Sequence, residues 1–400
     1  MDLTAFQPAE PHVEAKRRLA AAVQAGRGEI LELSRRVHAN PEPAFEEHLA
    51  ARWVAETVAR HGYEVEHPAG SLDTAVRGRL RGGGGDGPRV GILAEYDALP
   101  GIGHACGHNT MAASGVGAAI ALAALSADLP GEIVFLGTPA EERGSGKEIM
   151  IGDGLFDGLD AALLFHPGDI NEVEAALLAS EDVDVVFTGK AAHAASEPWD
   201  GFNALDALVL LFVSVGLWRQ QLHPDARVHG IVMEGGEAAN VIPDHTEARF
   251  MIRSSDEGRF AAMREHFGEL VRAAALATGC TGTAMHSGLS RTMRHNRVLG
   301  DRFIANMAGY GLSEDPPTGK RGSSDMGNVS HVCPTIHPTL AICERGTPGH
   351  SIEFRDAAAS ARAEEVTLLA ATIVAQTAYE LLTGPDLVAA AWREFHEGRP

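Results

Sequence analysis

Three short apolar runs in this chain each lead into side chains that can bind a metal ion. The runs cover 90–94, 133–137 and 161–165. The side chains that follow them are Cys106 and His108, Glu141 and Glu142, and His166. Helical segments at 110–125 and 144–152 separate the runs, which predicts βαβ units and a mixed, mostly parallel sheet flanked by helices. Because parallel strands end at one edge of a sheet, these side chains are expected to lie close together.

A fourth site of this kind occurs late in the chain. The loop 346–351 is rich in glycine and proline, follows the apolar run 340–343 and contains His350. Thiolate, neutral imidazole and carboxylate are all ligands of zinc-like ions. The pattern therefore predicts a hydrolytic site for two divalent ions. The candidate ligands are Cys106, His108, Glu142, His166 and His350.

Glu141 and Glu142 are chain neighbours, so their carboxylates cannot point the same way. One of them can bind metal while the other faces the cavity and exchanges a proton with water.

The pattern of elements changes near residue 180. Strand-like runs at 183–188, 228–233 and 246–252 and helical runs at 203–218 and 257–277 predict a small α+β (ferredoxin-like) domain. Strand and helix alternation returns after about residue 293. The sequence therefore predicts a catalytic domain formed by 1–180 and 294–400 and interrupted by an inserted domain at 181–293.

Charge and cysteine usage restrict the partners and the compartment. The chain has 400 residues and a net charge of −21, which argues against nucleic acid or an anionic membrane as a partner. The apolar run 111–125 is too short and too rich in alanine and glycine for a membrane span. The N-terminus carries acidic residues and no continuous apolar run, so no signal peptide is expected. Four scattered cysteines indicate free thiols and a cytoplasmic location.

In this combination of residues the chain resembles the co-catalytic metallopeptidases and amidohydrolases, the family of aminoacylase, carboxypeptidase G and the indole-acetyl-amino-acid hydrolases. The segment from Ala94 to Pro100 followed by 103–109 is most similar to the branch of aminobenzoyl-glutamate hydrolase and β-alanyl-lysine dipeptidase. The resemblance extends from about Glu29 to about Ala378. It implies a zinc-peptidase-like catalytic domain with an inserted lid domain through which two subunits form a homodimer.

The resemblance also implies individual roles. The five candidate ligands match the metal ligands of the branch, Glu141 matches the general acid/base, and Asp97 matches an acidic residue that orients a ligand. Glu95 stands where other branches carry a metal-binding histidine. Asn109 stands where the auxin-conjugate hydrolases carry aspartate.

Within the inserted segment, the resemblance assigns substrate contacts. His193 would act on the scissile carbonyl oxygen in the site of the partner subunit. Asn240 and Arg253 would hold the free carboxylate of the substrate, although Arg249 lies on the same strand face and is an alternative. The loop 322–328 resembles a substrate-pocket loop, and a plain surface turn is the other interpretation.

These features predict a metal-dependent hydrolase that cleaves the amide bond of an N-acyl amino acid or a dipeptide. The cofactor is expected to be two divalent ions, zinc or manganese, with cobalt also open. The alternative is an inactive family member that binds a peptide or an amino-acid conjugate without cleaving it. A nucleophilic role for Cys106 is disfavoured because a thiolate bound to metal is not free to attack.

Overall fold

The structure is a computed structural model, and it describes residues 2–5, 7–317, 319 and 322–398. The chain forms two compact units. The first contains the described residues within 1–176, 293–321 and 325–400, and the second contains 177–292 and 322–324. The second unit thus covers the segment 181–293 predicted as an inserted domain, apart from residue 293.

The first unit is built on a six-stranded mixed sheet. Its strands are β1 (Glu64–Glu66), β2 (Val76–Arg81), β3 (Arg89–Glu95), β4 (Glu132–Thr138), β5 (Ala161–Leu163) and β11 (Thr335–Ile336), numbered along the whole chain. Their order across the sheet is β1-β2-β4-β3-β5-β11. The neighbouring pairs β4–β3, β3–β5 and β5–β11 are parallel, while the pairs β1–β2 and β2–β4 are antiparallel. A small parallel pair is formed by β6 (His166–Gly168) and β12 (Thr339–Ala341). The predicted mixed, mostly parallel sheet is confirmed.

Ten α-helices belong to this unit in the described chain. They are α1 (Val13–Ala25), α2 (Arg27–Ala39), α3 (His48–Arg60), α4 (His108–Ala124), α5 (Gly146–Gly152), α8 (Arg297–Ala308), α9 (Met326–Val329), α10 (Ile352–Ala358), α11 (Ala361–Thr383) and α12 (Pro385–Glu397). Gly26 separates α1 from α2.

Small residues explain how the sheet and its central helix approach each other. A side-chain carbon at Gly115 of α4 would lie 2.6 Å from the Leu93 carbonyl oxygen of β3. Strand β3 is buried at every residue after Arg89, as expected for a central strand covered on both faces. Of the described helices, α11 alone is long and apolar enough to cross a membrane, and 83% of its apolar window is buried inside the protein. The core of the unit thus contains α4, α11 and the parallel strands.

The second unit is a four-stranded antiparallel sheet with two helices. Its elements are β7 (Ala179–Thr188), α6 (Ala204–Trp218), β8 (Arg227–Glu234), β9 (His245–Ser254), α7 (Glu257–Thr278) and β10 (Thr281–Ser290). The strand order is β10-β7-β9-β8. In β7, Val183, Val185 and Phe187 are buried and alternate with half-buried residues, so one face of the sheet carries the core. This βαββαβ arrangement confirms the predicted ferredoxin-like class.

Several strands were not predicted, for two different reasons. In β2 the small and apolar residues Val76, Gly78 and Leu80 do alternate with arginines, so the signal for a half-buried strand was present. Strand β10 consists mainly of small and polar residues and has no clear apolar period. It forms because β7 offers a free edge that pairs with it from Thr281 to Ser290.

Candidate metal centre

Cys106 and His108 lie at the turn that leads from β3 into α4. Gly107 between them has a φ of 82° and precedes the first residue of α4. The Nδ1 atom of His108 lies 2.9 Å from the Asp97 carbonyl oxygen and 3.0 Å from Asp97 Oδ1. Both partners are acceptors, so Nδ1 carries the proton and donates it to Asp97. A metal ion can bind at the Nε2 atom once that atom carries no proton.

A hydrogen bond from Nδ1 also orients the imidazole ring of His166. Its Nδ1 atom donates to the Pro167 carbonyl oxygen at 2.6 Å, and its Nε2 atom lies 3.4 Å from Cys106 Sγ. Burial lowers the pKa of His166 to about 4. The ring is therefore neutral near pH 7, which is the form that binds metal. His166 begins β6, in parallel register with Thr339 of β12, rather than ending the preceding strand.

Glu142 and His350 approach from two other loops. The backbone N–H of Glu142 donates to Asp97 Oδ2 at 2.8 Å, so Asp97 orients both Glu142 and His108. Glu142 Oε1 lies 3.4 Å from His350 Nε2. The backbone N–H of His350 donates to the Ala105 carbonyl oxygen at 3.0 Å, which ties its loop to the segment before Cys106.

The five side chains form two groups that share one sulfur atom. Cys106, His108 and His166 form the first group, and Cys106, Glu142 and His350 form the second. Within each group the ligand atoms all lie within 4.8 Å of one another. A thiolate can bridge two ions, so this arrangement suits a pair of neighbouring metals.

Two features of the site test whether metal ions fit. His108 Nε2 and Glu142 Oε1 are buried and have no hydrogen-bond partner among the described residues. Burying such atoms without a partner is costly, and a bound cation would remove that cost. The donor set of one sulfur, three imidazoles and one carboxylate is also one that zinc-like ions accept. The residues therefore fit a two-metal centre.

The free thiol of Cys106 is not set up as a nucleophile. Burial raises its pKa well above the usual range, and the Glu142 carboxylate raises it further. A reactive cysteine needs the opposite, a lowered pKa in electropositive surroundings.

Glu141 lies beside the ligand groups and is almost fully buried. Its Oε2 atom is 3.8 Å from His108 Nε2. Burial raises its pKa well above the usual range, and the neighbouring carboxylates Glu95 and Glu142 add to the shift. Ala140, the preceding residue, has a φ of 58°, a left-handed conformation rare outside glycine. Despite this bend, both adjacent carboxylates approach the same imidazole, since Glu142 Oε1 also lies 4.0 Å from His108 Nε2.

Two buried residues that support this centre were missed in the sequence. Glu47 accepts the Ala140 N–H at 2.8 Å and the Thr74 hydroxyl at 2.8 Å, and so holds the bend before Glu141. Lys147 is fully buried and lies 2.6 Å from carboxylate oxygens of both Glu95 and Asp325. Neither lies in a recognisable motif, and only the fold brings them to the site.

The loop at 322–328 is not a plain surface turn. Residues 324–328 are buried, and the Asp325 carboxylate accepts both the backbone N–H and the ammonium of Lys147.

His193 and Asn240 lie next to each other in the second unit. The backbone N–H of Ala194 donates to the Asn240 carbonyl oxygen at 3.0 Å. His193 is exposed, and its Nδ1 atom accepts the N–H groups of Ala195 and Ser196, both at 3.2 Å. In the neutral ring this places the proton on Nε2, which makes that atom a hydrogen-bond donor.

The two arginines on β9 differ in their partners. Arg249 binds Asp184 with two parallel contacts, at 2.6 and 3.0 Å. Arg253 is half-buried and its Nε atom contacts Met251 Sδ at 2.9 Å. It forms no ion pair with any residue in the described part of the chain. Of the two, Arg253 therefore has its guanidinium available for a carboxylate ligand.

Comparisons with a family model and with the sequences of known proteins both relate this chain to peptidases. The model of a family described as peptidase family M20/M25/M40 matches residues 91–380. The Xaa-Arg dipeptidase of Mus musculus is 37% identical over 97% of this chain and 95% of that protein. The Xaa-Arg dipeptidase of Homo sapiens is also 37% identical, over 99% of this chain and 92% of that protein.

Solved structures with the same fold include two bacterial proteins. One, from Bacillus subtilis, is described as a dinuclear metal binding peptidase of the M20 family. Its TM-score is 0.69 at 21% sequence identity, and the match covers 90% of this chain and 99% of that chain. The other is an aminobenzoyl-glutamate utilization protein from Klebsiella pneumoniae, with a TM-score of 0.71 at 20% identity and coverage of 88% and 98%. At these identities they support the fold.

Proposed function

The chain belongs to peptidase family M20/M25/M40, and we propose that it hydrolyses the amide bond of a dipeptide or an N-acyl amino acid at a site holding two divalent ions. The family and the named relatives make it a metal-dependent peptidase or amidohydrolase. The observation that carries the finer proposal is the pair of ligand groups sharing Cys106, with Glu141 beside them.

The proposed holders of the ions are Cys106, His108 and His166 on one side and Cys106, Glu142 and His350 on the other. Ions bound there would polarise the substrate carbonyl and lower the pKa of a water molecule. Zinc and manganese are the proposed metals, and the thiolate favours zinc.

Glu141 is the proposed general acid/base. It takes a proton from the attacking water as the water oxygen bonds to the carbonyl carbon. It then passes that proton to the amine nitrogen as the C–N bond breaks. Its raised pKa supports this role, because the carboxylate must be basic enough to accept a proton and acidic enough to return it.

The second unit supplies the remaining proposed residues. The Nε2–H of His193 would donate to the carbonyl oxygen in the site of the partner subunit as negative charge develops there. Arg253 and Asn240 would hold the free carboxylate of the amino acid that leaves. Arg253 is preferred over Arg249 because Asp184 already occupies the Arg249 guanidinium.

The proposed substrate class is a dipeptide with a basic C-terminal residue, since two relatives similar over nearly their full length are named Xaa-Arg dipeptidases. The test is to strip the protein of metal with a chelator, reload it with Zn²⁺ or Mn²⁺, and assay Xaa-Arg, Xaa-Lys, N-acetyl amino acids and aminobenzoyl-glutamate. Hydrolysis of the Xaa-Arg peptides should disappear with the chelator and return with the metal. Activity that survives full metal removal would refute the proposal.

A homodimer through the second unit is also proposed. The outer face of α6 exposes Val209, Val213 and Leu217, and the edge strand β8 exposes Ile231 and Met233. Large exposed apolar side chains on a helix and on an adjacent unpaired strand edge are typical of protein–protein interfaces.

A reducing, cytoplasmic location is proposed because none of the four cysteines, all in the described chain, forms a disulfide. Cys106 can serve as a ligand only while it is not oxidised.

A further inference from the structure

The start of strand β8 carries positive charge to which the proposed mechanism gives no task. Resting on the proposed hydrolysis of a dipeptide, we propose that Arg227 and His229 join Arg253 in a pocket that binds the carboxylate of the substrate's C-terminal residue. Three features of the second unit support this pocket: the register of two strands, a cavity beside them and the local balance of charge.

The first feature is a pair of arginines on one face of the sheet. Arg227 of β8 stands directly opposite Arg253 of β9 in the antiparallel register. Their neighbours Val228 and Ile252 are buried in the core of the unit, so both arginines point to the other face. Side chains in this relation have Cβ atoms about 5 Å apart, and like charges there destabilise the sheet. An anion bound by both guanidiniums would replace this repulsion with attraction.

The hydrogen bonds of the two arginines leave room for such an anion. Arg227 Nη1 donates to the Ala226 carbonyl oxygen at 2.7 Å and also to the Pro224 carbonyl oxygen. The Arg253 guanidinium is half-buried, and its Nε atom contacts Met251 Sδ. Neither arginine forms an ion pair with a carboxylate in the part of the chain that the structure describes. A cation partly removed from water in this way is stabilised by an anionic partner.

The second feature is a cavity of about 540 Å³ beside this pair. Of the described residues that line it, Arg219, His223, Arg227 and His229 can carry positive charge, and none is acidic. His223 contacts Asp225, so Arg219 and Arg227 supply the charge of the lining. Arg219 Nε donates to the Val228 carbonyl oxygen at 2.7 Å, which fixes this guanidinium at the edge of β8.

The third feature is the balance of charge around His229. Burial lowers the pKa of His229, and the positive charges of Arg253 and Arg219 lower it further. The ring is therefore neutral near pH 7 and can donate an N–H to an anion. Asp182 of β7 is the acidic neighbour, since its charge acts on both His229 and Arg253. One carboxylate does not balance the guanidiniums of Arg219, Arg227 and Arg253.

This arrangement fits a carboxylate in particular. The fork of a guanidinium matches the two oxygens of a carboxylate, and two forks from adjacent strands can hold both oxygens. In a chain with a net charge of −21, such a group of positive side chains is a local exception that attracts anions. Asp182 keeps an acidic group beside the pocket, with which a basic side chain of the bound residue can pair.

The experiment compares two ligands that differ in the carboxylate alone. Arginine and argininamide are titrated by calorimetry into the full chain, as wild type and as the variants Arg227→Gln, Arg227→Lys and His229→Gln. Inorganic phosphate is titrated as a third ligand. Calorimetry does not require turnover, so binding is measured separately from activity. KM and kcat for the dipeptide Ala-Arg and the thermal unfolding temperature are measured on the same proteins.

Arg227→Gln should weaken the binding of arginine by about 10- to 100-fold, because a hydrogen-bonded charge pair is lost. The binding of argininamide should change by less than about 2-fold, since the amide has no carboxylate to lose. KM for Ala-Arg should rise with the loss of arginine binding while kcat stays nearly constant, as expected for a contact made equally in the ground state and the transition state.

The other variants grade the effect. Arg227→Lys should recover part of the affinity, because it keeps the charge but not the fork. His229→Gln should weaken the binding of arginine by about 3- to 10-fold, as expected for one neutral hydrogen bond. Arg227→Gln should not lower the thermal unfolding temperature, since it removes a like charge opposite Arg253.

The matched control is Arg272→Gln. Arg272 is exposed on α7, which packs on the core face of the same sheet. Its substitution removes the same charge from the same unit and should leave the binding of both ligands and KM for Ala-Arg unchanged.

The proposal is overturned if Arg227→Gln binds arginine as wild type does, or if it weakens arginine and argininamide equally. A variant that loses affinity for phosphate but not for arginine would also overturn it, because the pocket would then hold an anion unrelated to the substrate. These outcomes leave the proposed hydrolase standing if metal-loaded wild type cleaves Ala-Arg. Wild type that binds arginine through Arg227 but cleaves no dipeptide would remove the proposed function and keep the pocket.

Discussion

At the scale of single residues, the centre depends on carboxylates with divided tasks. Asp97 uses one oxygen to orient His108 and the other to hold the backbone of Glu142. Glu47 holds the bend at Ala140, and the Glu141 carboxylate lies beside the ligand groups, 3.8 Å from His108 Nε2. In the proposed centre, the acidic residues thus divide into those that orient ligands, those proposed to bind metal and Glu141, proposed to exchange a proton.

Glu141→Gln tests this division. The variant should keep two metal ions, because Glu141 is not in either group that shares Cys106. Its kcat should fall by about 10²–10⁴-fold, since the amide cannot accept or return a proton. Steady-state kinetics together with metal analysis measure both quantities. Glu56→Gln, at an exposed position on α3, is the control and should have wild-type kinetics. Near-normal turnover of Glu141→Gln would remove it from the proton transfer.

Glu47 makes stability depend on pH in a specific direction. Burial raises the pKa of Glu47 to about 7, and the Asp97 carboxylate contributes to the shift. An unfolded glutamate has a pKa of about 4.3. Between these values the folded chain keeps a proton that the unfolded chain has released. The free energy of unfolding contributed by this group therefore falls as the pH rises from about 4.3 to about 7.

Glu47→Gln should abolish this contribution. Relative to wild type, the free energy of unfolding of the variant should rise by about 1.4 kcal/mol per pH unit across that interval. Urea unfolding of the metal-free protein at several pH values provides the measurement. A difference between the two proteins that does not change with pH would contradict the assignment.

At the scale of elements, strand ends and short turns place the ligands. Strands β3 and β4 are parallel neighbours, so Glu95 and Thr138 lie in register at the same edge of the sheet. The turn at Gly107 then brings Cys106 and His108 back over that edge. His350, like Ala140, has a left-handed backbone, with a φ of 57°. Left-handed residues of this kind concentrate at functional sites, where the surrounding contacts stabilise them.

Gly107→Ala should disrupt this turn. A side-chain carbon there would lie 2.7 Å from Pro167 Cγ, and the φ of 82° disfavours any residue but glycine. We expect a loss of about 1–3 kcal/mol in stability and weaker metal binding, measured by chemical unfolding and chelator competition. Gly28→Ala is the control, because nothing lies within 4 Å of that position. It should be neutral or stabilising by up to about 1 kcal/mol. Equal effects of the two substitutions would argue against the role of Gly107.

At the scale of the whole molecule, the second unit presents apolar side chains that no described residue covers. Its sheet ends at β8 on one side and at β10 on the other. Helices α6 and α7 both pack on β7 and β9, and α7 packs in addition on β10, so α6 lies on the β8 side of the sheet.

Val213→Glu should convert the proposed dimer into a monomer, because a charge on the outer face of α6 cannot be buried without a partner. Light scattering coupled to size-exclusion chromatography gives the mass of the species in solution. Leu276→Glu is the matched control: Leu276 is 85% exposed but lies on α7, and its substitution should not change the mass. A wild-type protein that is already monomeric would exclude the dimer.

The sequence alone predicted the chemistry proposed for this protein. Cys106, His108, Glu142, His166 and His350 stand next to glycine-rich turns or strand ends, and the apolar periods predicted the mixed sheet and the ferredoxin-like insert. These signals are local, because strand ends and turns are encoded by neighbouring residues. The family resemblance then added the enzyme class.

Tertiary structure decided how these residues combine. Three arrangements depend on contacts between distant segments: Cys106 belongs to both ligand groups, Asp97 contacts a member of each, and Lys147 is buried between Glu95 and Asp325. A lysine inside a short helix carries no local sign that its ammonium will be buried between two carboxylates. Strand β10, too, depends on an edge supplied by β7, since edge pairing can order a segment with little apolar pattern of its own.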